Sequence, residues 1–278
     1  MMHLKGFFSE KIISISKKAN NYVQDILQAF HVMSYIHIEN YTVRTSEINH
    51  AKRIHPHALI QLMQESSMQH TIGMKVSLWD LQDMQGSWVL LKMDVRFYSL
   101  PLLNDTITIE TFPSGKEGYF TYRDYLVFDR FHQLCATASS VWTMMHTETR
   151  KMIRIPDEFG KLVCHTDNPL PKPDFRLSPV LQSDSNFSIK VNYLHLDWNG
   201  HVNNVAMCRL IMESLDPDIF YQKTLKQLLI QFKSEAILGQ TLLFENHHDN
   251  EINKISHSVK NSENGKDIVL AETYWVDI

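Results

Sequence analysis

The chain is poor in the features that mark special classes of protein. It has three cysteines in 278 residues, Cys135, Cys164 and Cys208, with no paired framework and no metal-like spacing. That excludes a disulfide scaffold and a zinc site. No charge sign dominates: 27 Lys+Arg face 31 Asp+Glu, a net charge of −4, and no nucleic-acid partner is expected. The longest apolar runs, such as residues 236–238 and 88–91, fall far short of the ~20 residues of a membrane helix, so no stable membrane association is expected. What the chain does have is ordinary core material. With 44% hydrophobic and 21% charged residues, it can bury one full core, or two of about 100 to 150 residues each. Free thiols among 13 methionines suit a reducing, cytoplasmic setting.

Residues 1–35 read apart from the rest. Phe7, Phe8, Ile12, Ile15, Val23, Ile26, Leu27 and Phe30 fall loosely at helical spacing among lysines, without the compact apolar core and cleavage site of a signal peptide. The expectation is a loosely attached extension; an amphipathic surface helix is the alternative.

From Tyr41 on, order emerges. Residues 41–48 alternate with period two, Pro56 can open a helix with Leu59, Ile60, Met63 and Met68 on its apolar face, and strands are expected over 87–98, 106–112, 119–128 and 132–145. A turn is expected at Pro113-Ser-Gly115. One helix wrapped by an antiparallel meander is an α+β arrangement. The second half repeats this order, with a strand near 187–194, a helix over 203–215 and strands over 224–234, 240–246, 252–260 and 268–276. Gln64-Glu65-Ser66 matches Met212-Glu213-Ser214 at an offset of 148 residues, and residues 95–110 run parallel to 230–245 at an offset of 135. The reading is two related domains, 36–155 and 186–278, rather than one large sheet. A stiff linker, 156–185, joins them and carries Pro156, Pro169, Pro171, Pro173 and Pro179.

Chemistry concentrates in His195-Leu196-Asp197-Trp198-Asn199-Gly200-His201-Val202-Asn203-Asn204, between a strand end and a helix start. A helix start offers backbone N–H groups and a positive dipole end, which suit an oxygen that turns negative during reaction. Capping accounts for one asparagine and leaves Asp197, Asn199 and His201 to be explained. Copy one has Asn49-His-Ala-Lys-Arg-Ile-His-Pro56 at this place, and Leu100 where copy two has Glu235. A carboxylate inside a strand is costly unless it is paired or functional; the alternatives are an edge position facing water or pairing with Lys233 or Lys226. His55 and His57 read as a surface pair rather than metal ligands.

The stretch Leu196-Asp-Trp-Asn-Gly-His-Val-Asn-Asn-Val205, with Met212-Glu-Ser214 and Phe232-Lys-Ser-Glu235, resembles the acyl-acyl carrier protein thioesterases of bacteria and plant plastids. Gly86-Ser-Trp-Val-Leu-Leu-Lys92 and Thr147-Glu-Thr-Arg-Lys-Met-Ile-Arg-Ile-Pro156 extend the likeness through copy one. The resemblance implies a tandem double hot-dog, each half a curled sheet round one central helix. It implies hydrolysis of fatty acyl-acyl carrier protein without a cofactor or metal. The family's Asp-x-Asn-x-His motif falls on Asp197, Asn199 and His201, and its later acidic residue on Glu235. Where many members carry a cysteine after that glutamate, this chain has Ala236, so water rather than a thiol is the expected nucleophile. Glu235 is the expected base, Asp197 shares that work, Asn199 polarises and His201 orients. Copy one is expected to hold the acyl chain with Met63, Met68, Trp88 and Leu90. Arg150, Lys151 and Arg154 either dock an acidic carrier or form a solvated turn. The alternatives are an acyl-coenzyme A thioesterase and a non-catalytic acyl-thioester sensor; homodimerisation is left open.

Overall fold

The computed structural model describes residues 36–164, 166 and 169–278; the extension over 1–35 lies outside them. Pro56 begins helix α1, Pro56–Gly73, where its missing N–H is needed by no helical bond. The helix buries Leu59, Ile60, Leu62, Met63, Ser66 and His70 along one stripe. Around it run β1 (His37–Thr42), β2 (Gly86–Phe97), β3 (Thr106–Glu117), β4 (Phe120–Phe128) and β5 (Leu134–His146), followed by the short β6 (Met152–Ile153). The second copy has β7 (Ser185–Lys190), α2 (Asn204–Glu213), the short α3 (Asp218–Gln222), β8 (Lys223–Phe232), β9 (Thr241–Asp249), β10 (Lys254–Asn261) and β11 (Asp267–Asp277).

The two copies share one sheet, where the sequence reading preferred two related domains to one large sheet. Eleven strands run in the order β1-β3-β4-β5-β2-β8-β11-β10-β9-β7, with β6 pairing β5 beside this path. Residues 37–278 form one compact unit. The seam is the antiparallel pair β2 and β8, in which Asp94 faces Leu229. Those two residues are 135 apart, the same offset that relates the copies in sequence. The halves therefore meet about a pseudo-two-fold axis through this pair, as identical subunits would in an isologous contact. Met93, Val95, Leu228 and Ile230 from the seam join Leu59, Met63, Leu210 and Ile211 from the two helices in one buried core.

Three details differ from the sequence reading. Residues 45–47 form a 3-10 turn instead of extending the first strand, because the Glu47 carboxylate accepts from the Arg44 backbone and guanidinium. Pro113 is not in a turn. It lies inside β3 where that strand has run past the end of β1 and bulges against β4, the kind of site a strand can give to proline. The linker is a strap across the face of the sheet away from the helices. Leu170 N–H donates to Asp124 (3.3 Å), Leu177 N–H to the Gln231 side chain (3.1 Å) and Val180 N–H to Ser258 (2.7 Å), while Lys92 reaches the Phe175 carbonyl at 2.5 Å.

Candidate active site

The residues before α2 form a tight turn. Asp197 Oδ1 accepts the backbone N–H groups of Asn199 (2.8 Å) and His201 (3.2 Å), and Asp197 N–H returns to the His201 carbonyl at 2.8 Å. Copy one builds the same turn with Asn49, whose Oδ1 accepts from Ala51 (3.0 Å) and Arg53 (3.1 Å). One oxygen of Asp197 thus has a structural duty that an amide also performs. Asn203 is the N-cap of α2: its Oδ1 accepts from Val205 (2.8 Å) and Ala206 (3.4 Å). Two of the helix-end donors expected to serve an oxyanion are therefore already engaged. Asn199 and Asn204, which line the adjoining cleft, bring amide donors in their place.

Glu235 is not part-buried in a strand. β8 ends at Phe232, and Glu235 occupies the loop beyond it, its side chain 35% exposed. That loop is fastened to the turn by Val202 N–H donating to the Ala236 carbonyl (2.8 Å) and by the bridge between His201 and Ile237. Glu235 Oε2 lies 3.4 Å from His201 Nε2. Its other oxygen, Oε1, accepts from Arg150 Nη2. Arg150 comes from copy one, so the pairing alternatives Lys233 and Lys226 give way to a residue of the opposite half. Arg150, expected in the docking set with Lys151 and Arg154, pairs with Glu235 beside the motif residues, while Lys151 and Arg154 are exposed.

Beside the turn opens a cleft of about 200 Å³ walled mostly by copy one: Ser67, Met68 and Thr71 of α1, Met74, Val76, Leu78, Trp88 of β2, Arg123 of β4 and Trp142 of β5, with Asp197, Trp198, Asn199, Asn203 and Asn204 from copy two. His201 and Glu235 stand next to this lining rather than in it. Of the four expected acyl contacts, Met68 and Trp88 line the cleft. Leu90 lines a smaller cavity behind it, with Ile60, Met93, Cys208 and Ile230. Met63 is fully buried in the core, which corrects its assignment to the cleft: on α1 it faces inward one position from where the cleft-facing residues sit.

Gln64 and Asn204 line both spaces and mark the passage between them. Asn204 belongs to the polar cluster marked in the sequence; Gln64 was not assigned a site role, although it stands where copy two has Met212, the same kind of divergence that flagged Glu235. Arg123 forms a polar patch in the wall, buried, with Nη1 3.1 Å from both His70 Nδ1 and Thr111 Oγ1; burial pushes its guanidinium below the usual range. At the mouth, Trp198 and Trp79 bring their rings to 6.5 Å. Cys208 is buried, and burial pushes its thiol up to about 12, far from the thiolate a nucleophile requires. His55 and His57 are part-buried and stack at 5.0 Å, since His55 is an N-cap outside the helix.

The pseudo-two-fold axis generates a second cleft, of about 230 Å³, from the wall of copy two: Asp216, Ile219, Gln222, Lys223, His248 and Trp275 among others. At the 148-residue offset Asp216 replaces Met68 and Ile219 replaces Thr71; at the 135-residue offset Lys223 replaces Trp88 and His248 replaces Pro113. Copy one's turn, with Asn49, Arg53 and Leu100 at the places of Asp197, His201 and Glu235, belongs to this half of the pseudo-symmetry. There the rings of His50 and Tyr221 meet at a tilt, with centroids 4.5 Å apart.

Residues 34–163 match the family described as acyl-ACP thioesterase N-terminal domain, and residues 180–277 the acyl-ACP thioesterase C-terminal domain. The chloroplastic acyl-[acyl-carrier-protein] hydrolase FATB2 of Cuphea viscosissima is 28% identical over 257 residues, 85% of this chain and 62% of that protein. The chloroplastic oleoyl-acyl carrier protein thioesterase 2 of Arabidopsis thaliana is 25% identical over 285 residues, covering 85% of this chain and 76% of that one. The chain spans 60–62% of the length of the Cuphea relatives it matches. Among solved structures, the 12:0-ACP thioesterase from Umbellularia californica superposes with a TM-score of 0.79 at 20% identity, over 88% of this chain and 98% of that one. An acyl-ACP thioesterase from Bacteroides thetaiotaomicron gives 0.78 at 20% identity, over 88% and 99%. These likenesses establish the double hot-dog fold.

Proposed function

The chain belongs to the acyl-ACP thioesterase family, and from that premise we propose that it hydrolyses the thioester of a fatty acyl-acyl carrier protein, with water as the nucleophile. The observation that carries this reading is an asymmetry. The two copies hold corresponding turns, closed by Asn49 and by Asp197, and of these two only that of copy two combines Asp197, Asn199 and His201 with a carboxylate, Glu235. It lies at the mouth of the cleft whose wall keeps methionines, Val76, Leu78 and tryptophans. The acyl chain occupies that cleft, in contact with Met68 and Trp88, with Leu90 in the cavity behind.

Glu235 accepts the proton of the attacking water and His201 orients the pair. Asn199 and Asn204 donate to the carbonyl oxygen as it becomes an oxyanion. Asp197 holds the turn with Oδ1 and brings its charge to the cleft through its second oxygen. Collapse breaks the C–S bond; the carrier thiol leaves with a proton and the fatty acid remains. Lys151 and Arg154, exposed near the site, are assigned to an acidic carrier surface. The setting proposed is the cytoplasm, supported by three free, buried cysteines. No helix among the described residues is long and apolar enough to cross a membrane.

The test is thiol release from a panel of acyl-carrier proteins and matched acyl-coenzyme A esters. Hydrolysis of the carrier esters with higher kcat/KM supports the proposal. Faster hydrolysis of the coenzyme A esters would reassign the substrate, and binding without turnover would make the protein a sensor.

A further inference from the structure

We infer that Arg150 is a positioning residue of this site: from the opposite half of the molecule it holds one oxygen of Glu235, so that the other is presented to His201 and the attacking water. The inference rests on the hydrolase reading above and adds a residue of copy one to a set of reacting groups otherwise supplied by copy two.

The geometry carries it. Arg150 Nη2 donates to Glu235 Oε1, while Oε2 is the oxygen 3.4 Å from His201 Nε2. The two oxygens of one carboxylate are thus divided between a fixed cation and the motif. A glutamate in a loop has three rotatable bonds and, left alone, samples many orientations. A base must be held close to its proton, and misplacement by about 1 Å can cost on the order of 10²-fold in rate. Asp197, Asn199 and His201 are held by the turn itself; Glu235, on a separate loop, needs another restraint, and a planar guanidinium is suited to holding a carboxylate in one orientation.

Stability does not explain the pair. The side chains are 39% and 35% exposed, and exposed ion pairs contribute little to the fold. The residue is nevertheless placed with care. Arg150 adopts φ +56°, a left-handed conformation that a side chain rarely takes. The turn that imposes it is closed by Arg150 N–H to the His146 carbonyl (3.0 Å) and by Glu148 and Thr149 N–H to His146 Nδ1 (3.2 and 3.3 Å). Thr147 N–H ties the turn to the Gln85 carbonyl (2.8 Å). The turn's hydrogen bonds fix the backbone from which the guanidinium reaches Glu235.

The test compares wild type with Arg150→Ala and Arg150→Lys, using one acyl group on three thiols: the carrier protein, coenzyme A and N-acetylcysteamine. The expected result for Arg150→Ala is a kcat lower on the order of 10²-fold, by the same factor on all three thiols, with KM changed by less than about two-fold. Arg150→Lys should recover part of the loss, and guanidinium ion added at millimolar concentration should raise the rate of Arg150→Ala without helping Glu235→Gln. The double variant Arg150→Ala/Glu235→Gln should be no slower than Glu235→Gln alone, because both act through one carboxylate. An unchanged kcat in Arg150→Ala overturns the inference and leaves the hydrolase reading standing. A loss seen only with the carrier protein, and carried by KM, overturns it in favour of docking. A wild-type protein that cleaves none of the three esters overturns the hydrolase reading, and this inference with it.

Discussion

Filling the first cleft while sparing the second separates the two halves' roles. Thr71 and Ile219 occupy corresponding positions, 148 residues apart, and each lines its own cleft. Thr71→Phe places a ring in a space of about 200 Å³ at the cost of one hydroxyl, whose bond to the Met68 carbonyl (2.9 Å) lies within the same helix; the fold should survive. Each methylene the ring displaces from the cleft forgoes about 0.8 kcal/mol of burial, a factor of about four. Displacement of two or three methylenes therefore lowers kcat/KM for the longest accepted chains by about 2 kcal/mol, or about 30-fold, and leaves chains that end before the ring unaffected. Ile219→Phe makes the comparable change in the polar second cleft and should leave the profile unaltered. The assay is fatty acid release from carrier esters graded in chain length, with melting curves confirming that both variants fold. A profile shifted by Ile219→Phe, or a Thr71→Phe profile lowered equally at every length, would refute the placement of the acyl chain.

Glu235→Gln and Asp197→Asn should each lower kcat by a factor on the order of 10² with KM little changed. Because Asn49 closes the equivalent turn in copy one, Asp197→Asn removes charge without removing the turn, so a folded protein with near-normal kcat would exclude a catalytic Asp197. Iodoacetamide should leave native activity intact, since Cys135, Cys164 and Cys208 are all buried with thiols pushed above their ordinary range by burial; rapid stoichiometric inactivation at one of them would contradict water attack. His257 is buried between Asn246 (2.8 Å) and Thr273 (2.9 Å), and burial lowers its pKa from 6.5 to about 3. It stays neutral when folded but takes up a proton when unfolded, so its contribution is lost as pH falls from 6.5 towards 3, by about 2 kcal/mol at pH 5. In urea titrations the stability gap between wild type and His257→Gln should narrow by that amount from pH 7 to pH 5, and a constant gap would show that His257 is not the titrating group.

How far the sequence could be read depended on whether the deciding interaction was local. Pro56 before an apolar stripe and the alternation over residues 106–112 are local signals, and α1 and β3 lie where they indicate. The motif turn was legible because a five-residue loop closed by an Asx side chain carries its own geometry. The seam was not. β2 and β8 read alike whether each edges a separate sheet or they pair with each other, and only the match of Asp94 with Leu229 in space distinguishes the two cases. Glu235 was located by repeat comparison, yet its partner Arg150 lies 85 residues earlier, and nothing in Thr-Arg-Lys-Met distinguishes a cation facing a carboxylate from one facing water. Met63 and Met68 share a helix and a residue type; which one meets the cleft depends on how α1 rolls against β3 and β4.

The divergence between the copies has a physical logic once the pairing of turn and wall is considered. The first cleft takes its turn from copy two and most of its wall from copy one. The second cleft inherits what remains. Its lining has Asp216, Lys223 and His248 where the first has Met68, Trp88 and Pro113, and copy one's turn, with Asn49, Arg53 and Leu100, stands outside that lining. Pro217 adds to this by interrupting the helix that runs unbroken as α1 in copy one, leaving α2 and the short α3. Polar substitutions in copy two's wall and apolar or basic ones in copy one's turn would each damage an active cleft had they fallen on the opposite copy. They fall instead in the same place, which is what selection on a single cleft permits. At the seam the inward positions keep their apolar character in both copies, Met93 with Leu228 and Val95 with Ile230 at the 135-residue offset, because both strands close one shared core that neither copy can leave polar.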